Sequence, residues 1–88
     1  MREFEIKPDF YKKLKKLSKK DKNTYNALMN KIDEVLGTSN VEHYKNLKYN
    51  MKESKRVHIG HFVLVFSYVK VRDFVSFEDF EHHDKIYD

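Results

Sequence analysis

The chain reads as an α+β domain: an N-terminal strand, an α-helical hairpin, then a three-stranded antiparallel meander, all in one unit over residues 1–88. Three observations predict this order. Residues 2–7 alternate, with Phe4 and Ile6 on one side and Glu3, Glu5 and Lys7 on the other, the pattern of a strand with one wet face. Residues 8–37 carry apolar side chains at helical spacing. Residues 53–77 then carry β-branched and aromatic side chains in strand-like runs, the first two joined by a tight turn at Gly60.

The first helix starts at Pro8, which suits an opening turn, and Asp9 lies near the positive end of the helix dipole. Phe10, Leu14 and Leu17 make its apolar stripe, and Lys12, Lys13, Lys15, Lys16, Lys19 and Lys20 fill most of the remainder. Ser18 followed by Asp21 resembles a capping box for a second helix. Tyr25, Leu28, Met29, Ile32, Val35 and Leu36 form the stripe of that helix, and Gly37 is a natural stop. So short a connection predicts an antiparallel hairpin. Residues 38–52 are polar and irregular, anchored by Val41, Tyr44, Leu47, Tyr49 and Met51.

Strands are expected over roughly 53–59, 61–68 and 70–77, with a tight turn at Gly60. Phe62 to Phe66 is apolar on both faces, so the middle strand should be central. Phe62, Leu64 and Phe66 are expected to face the helices. His61, Val63 and Val65 then share the opposite face with His58. On the strand before the turn, Arg56 and His58 point one way and Val57 and Ile59 the other. A cation and an imidazole are thereby held side by side on a rigid element. Imidazole titrates near neutral pH, and His61, His82 and His83 follow the turn. This combination suits phosphate chemistry. The alternative, surface or hydrogen-bonded histidines, needs no chemistry at all. Four histidines could also hold zinc, but their spacing matches no usual zinc pattern.

Composition bounds the function. A chain of 88 residues has little room for a deep small-molecule pocket, so no small-molecule ligand is expected and a large partner surface is favoured. There is no cysteine, hence no disulfide framework and no thiolate metal site. No apolar run is long enough for a bilayer and the N-terminus lacks a signal-peptide core, so the cytoplasm is the expected compartment, with no membrane partner. The net charge of +4 is uneven. Residues 1–59 hold 15 Lys and Arg against 8 Asp and Glu, whereas residues 60–88 hold 3 against 6. The basic part points to nucleic acid or an acidic protein, with Lys12, Lys13, Lys16, Lys19, Lys20, Lys48, Lys52 and Lys55 as candidate RNA contacts; a plain solvated face is the simpler reading.

The blocks "FYKKLKKLSKKD", "LKYNMKESKRVHIGHFVLVFSYV" and "HHDKIY", in this element order, resemble the RelE/ParE toxin superfamily, and specifically an archaeal RelE-type toxin. The resemblance covers essentially the whole chain. The family arginine after the aromatic of the central strand would fall at Val63, and the arginine of the terminal motif at His83. "RVHIGHFVLVF" is similar instead to the YafQ branch, which carries histidines where RelE has lysine and arginine. His58 matches the YafQ strand histidine and His83 its terminal-motif histidine, while His61 stands where YafQ has an aspartate. Arg56 and His58 occupy the positions of two RelE lysines, and Tyr87 that of its C-terminal tyrosine.

The resemblance implies cleavage of mRNA on the ribosome by attack of a ribose 2′-OH on the adjacent phosphate, without metal or other cofactor. It implies Arg56 as phosphate stabiliser, His58 and His83 as the acid/base pair, and His61 and Tyr87 in orientation or stacking. It also implies a cognate RelB-like antitoxin, expected to be acidic and partly disordered. ParE-like members, which poison DNA gyrase, and a catalytically inactive binding or repressor component are the competing expectations.

Overall fold

A computed structural model describes residues 2–46 and 54–86. The order is β1 (Glu3–Ile6), α1 (Pro8–Lys20), α2 (Lys22–Gly37), a 3₁₀ turn (Val41–His43), β2 (Lys45–Asn46), β3 (Ser54–Ile59), β4 (Phe62–Val69), a second 3₁₀ turn (Lys70–Arg72), β5 (Phe74–His82) and α3 (His83–Ile86). The α+β class and the strand–hairpin–meander order are as the sequence predicts. Two-residue β2 is an added edge strand, and β5 and α3 extend beyond the region where strands were expected.

The five strands form one sheet in the order β1-β5-β4-β3-β2. All described pairings are antiparallel except that of β1 with β5. The apolar run of β4 makes it a central strand, as two-sided hydrophobicity requires.

The helical hairpin turns on one residue. The Asp21 N–H closes α1 on the Leu17 carbonyl (2.9 Å), while the Asp21 carboxylate accepts from the Thr24 N–H (3.1 Å) and Thr24 Oγ1 (2.6 Å) at the start of α2. Asp21 is therefore the N-cap. The Ser18–Asp21 capping box does not form, because α1 continues through Ser18 and its hydroxyl donates back to the Lys15 carbonyl at 2.8 Å. Gly37 is the last residue of α2 and has no positive φ; the chain leaves through Thr38 in an extended conformation. Arg2 covers the end of α2 instead, donating to the carbonyls of Val35 (3.3 Å) and Leu36 (3.2 Å) and, through Nε, to Asp73 (2.8 Å).

Phe10 and Leu14 of α1 and Leu28, Ile32, Val35 and Leu36 of α2 pack on Leu64, Phe66, Val75, Phe77 and Phe80. Burying such side chains contributes about 1.5–3 kcal/mol each relative to exposure, so this layer is the main stabilising term. Phe62 is partly buried against the same cluster. Val63 and Val65 are buried outside it, on the other face of the sheet.

A bulge decides what that other face carries. Val65 pairs with Asp79 but Phe66 pairs with Phe77, so Glu78 is an extra residue on β5. Side-chain alternation restarts there. Val75 and Phe77 face the helices before the bulge, and Phe80 does so after it. The same step puts Asp79 and Glu81 on the face opposite the helices.

Candidate active site

Register assembles the site at one end of the sheet. Gly60 and His61 form the turn between β3 and β4, with Gly60 at φ 60°, a conformation that suits glycine. His58 pairs with Val63, and Val63 with Glu81. Arg56 pairs with Val65, and Val65 with Asp79. These two rows lie on the face away from the helices. Arg56 and His58 therefore share a face one pleat repeat apart, about 7 Å along the strand.

Phe62 pairs with His82, which brings the end of β5 to the β3–β4 turn. The His83 N–H then donates to the His61 carbonyl at 2.8 Å and fixes the start of α3 there. The result is two ring pairs. His58 and His83 stack at 5.2 Å between centroids with planes inclined 27°. His61 and His82 lie at 6.2 Å and 11°, and Phe62 meets the His82 ring edge-on at 5.5 Å. Asp84 lies beside both C-terminal histidines, 3.7 Å from His82 Nδ1 and 3.8 Å from His83 Nδ1. Its N–H donates to His82 Nδ1 at 3.3 Å. Side chains of His82 and His83 are each 45% exposed, so their nitrogens are within reach of a ligand.

The sequence-derived candidates thus separate. Arg56, His58 and His83 come together on the face away from the helices. His61, expected on that face, instead stacks on His82 and lines the cleft against α2, because it belongs to the turn and does not continue the alternation of β4. Tyr87, Lys48 and Lys52 lie outside the described residues. Lys12, Lys16, Lys19 and Lys20 are exposed along α1. Lys55 is not a surface lysine. It shares the helix-facing side with Val57 and Ile59, is 8% exposed, and its ammonium points to the Tyr44 carbonyl at 3.4 Å. Strand alternation counted from Arg56 already dictates this.

Lys13 is engaged within the chain. Its ammonium lies 2.6 Å from Asp79 Oδ1, 2.6 Å from Glu81 Oε2 and 3.4 Å from the Phe80 carbonyl. Partial burial works against its charge, but the two carboxylates outweigh that and hold it above the usual lysine range. The Lys13 hydrogen bond in turn holds the Glu81 carboxyl below its ordinary value. Asp79 and Glu81 were not foreseen on the site face, because their placement depends on the bulge. The one sequence signal is the change in apolar spacing from two to three across Val75, Phe77 and Phe80.

Among the described residues, no group of three or more His, Cys, Asp or Glu is arranged to hold a metal ion. An open cleft of about 290 Å³ lies between the first turns of α2 and the β3–β4 turn, lined in part by Asn23, Ala27, Ile59 and His61. No described helix is long and apolar enough to cross a membrane. Chemically, two adjacent imidazoles with a guanidinium on the same face can accept a proton, donate a proton and bind an anion.

No family model matches the chain. A Methanocaldococcus jannaschii protein provisionally named toxin RelE4 is 48% identical over 88 residues, spanning 99% of this chain and 92% of its own length. Among solved structures, the RelE of the archaeal RelE–RelB complex from Pyrococcus horikoshii superposes with a TM-score of 0.71 at 14% identity, over 93% of this chain and 94% of that one. YafQ from E. coli gives 0.65 at 21% identity over the full length of both chains. The fold is thus that of RelE and YafQ, and close to half the residues match the archaeal relative along almost its whole length: the chain belongs to the RelE toxin family.

Proposed function

We propose that this toxin is a ribosome-dependent mRNA endoribonuclease. One observation carries the reading: the His58–His83 stack at 5.2 Å, on the face that also bears Arg56. Cleavage by 2′-OH attack needs three functions. A base takes the hydroxyl proton as the 2′-oxygen–phosphorus bond forms. An acid gives a proton to the 5′-oxygen as the phosphorus–5′-oxygen bond breaks. A cation offsets the charge gathering on the phosphate oxygens. His58 and His83 supply base and acid, one neutral and one protonated at the start of a turnover. Arg56 binds the phosphate, to which a guanidinium offers a planar set of donors. His61 orients the strand at the turn, and Tyr87 stacks on a base.

The exposed lysines of α1, Lys12, Lys16, Lys19 and Lys20, are assigned to ribosomal RNA, where phosphate contact needs charge and little geometry. The partner that restrains the toxin is a RelB-like antitoxin; the P. horikoshii relative is solved with RelB. The test is to induce the chain in cells and map mRNA 5′ ends on translated and untranslated messages. New ends confined to translated messages support the reading. Toxicity with intact mRNA and trapped gyrase–DNA complexes would replace it with gyrase poisoning.

A further inference from the structure

We propose that Lys13 is a positioning residue: clamped between Asp79 and Glu81, its ammonium balances two carboxylates on the face of Arg56, His58 and His83 and keeps that face open to a polyanion. Asp79 stands in the pairing row of Arg56, and Glu81 in that of His58. Two strand spacings, about 10 Å, separate the partners in each row. The site face thus carries its own anions, which would repel an RNA phosphate.

Lys13 reaches them from α1. β1 pairs with β5 only as far as Phe77, so beyond that point the described strands leave the outer edge of β5 to other groups. The Lys13 ammonium occupies that margin, at hydrogen-bond distance from both carboxylates and near the Phe80 carbonyl. The two carboxylate oxygens it touches are therefore within about 5 Å of each other, a separation that two uncompensated anions would resist. Lys85 approaches the other Glu81 oxygen at 3.8 Å. Two cations and two anions make a cluster of zero net charge. Removing Lys13 alone leaves one net negative charge beside the site.

This assignment rests on the nuclease reading only for the identity of the polyanion as RNA. Its test is a charge-swap series read by binding. The probe is a 2′-O-methyl RNA oligonucleotide, which cannot be cut by 2′-OH attack. Lys13→Met should weaken binding about 2–5-fold at low salt, the size expected for one charge near 10 Å in a watery environment. Lys13→Met with Asp79→Asn restores neutrality but not the clamp, and asparagine Oδ1 can still accept the Phe80 N–H that Asp79 Oδ1 accepts at 2.8 Å. The pair should return binding to the wild-type level, and Lys13→Arg should never lose it. The single-variant defect should shrink toward zero near 1 M salt, where the Debye length is about 3 Å. If the double variant binds as weakly as Lys13→Met, Lys13 acts as a strut or a direct phosphate contact and the proposal is overturned. A wild-type level in Lys13→Met, or no binding by the wild-type chain, overturns it as well. Wild-type binding without mRNA cleavage would sink the nuclease reading and leave the role of Lys13 standing.

Discussion

The rings of His58 and His83 stack 5.2 Å apart, one from the end of β3 and the other from the start of α3. Neither element alone makes the pair. The Phe62–His82 register and the His83 N–H to His61 carbonyl bond bring them together. On the nuclease reading, His58→Ala and His83→Ala should each lower mRNA cleavage about 10²–10⁴-fold, the usual effect of losing a proton-transfer group. Arg56→Ala should also lower cleavage and toxicity. Thermal unfolding should change little in the His83 variant, whose side chain is 45% exposed. Undiminished toxicity at equal expression would remove these residues from the mechanism.

Phe66 is fully buried between the helices and the sheet, edge-on to Tyr44 at 5.5 Å. Phe66→Ala should cost about 3–5 kcal/mol of unfolding free energy. Val71→Ala, at a site 94% exposed, should stay within about 0.5 kcal/mol. Urea titrations of the two variants check both values, and similar costs would mean that the core is misplaced.

Gly60 holds φ 60° in the turn that sets His58 and His61. Nothing lies within 4 Å of where its Cβ would stand, so the cost of a substitution comes from the backbone and not from crowding. Gly60→Val should cost about 1–2 kcal/mol and also lower cleavage by moving the histidines. A variant as stable and active as wild type would show that the turn does not need glycine.

Several carboxyls are held below their ordinary range by hydrogen bonds: Glu81 by Lys13, Glu34 first by Tyr44, and Asp73 first by Tyr68. A carboxyl with a depressed folded value adds stability above its unfolded value and loses it as the proton returns. The urea midpoint should therefore fall as pH drops below about 5, and the fall should be shallower in Glu81→Gln. A midpoint that is flat down to pH 3 would contradict these hydrogen-bond assignments.

The sequence shows the elements more plainly than their pairing. Apolar spacing marks α1 and α2 because one buried stripe of Phe10, Leu14, Leu28 and Val35 carries most of their packing. The face shared by Arg56 and His58 is legible for the same reason, since alternation is local. What is not local was missed. The Glu78 bulge reverses alternation within β5, so Asp79 and Glu81 could not be placed from a strand expected to stop near residue 77. Lys13 reads as one more cation on a basic helix until β5 puts two carboxylates beneath it. Lys55 is the opposite case: its burial follows from the alternation that places Arg56, yet its charge alone suggested the surface.

On the nuclease reading, His58 and His83 cut mRNA on the ribosome by 2′-OH attack. The most direct measurement is to mix purified toxin with programmed ribosomes and examine the ends of the cut message. The expected products are an upstream fragment ending in a 2′,3′-cyclic phosphate and a downstream fragment with a free 5′-hydroxyl. The same message should stay uncut without ribosomes, and His58→Ala or His83→Ala should cut it far more slowly. An intact message, or fragments carrying a 3′-hydroxyl and a 5′-phosphate, would contradict that reading.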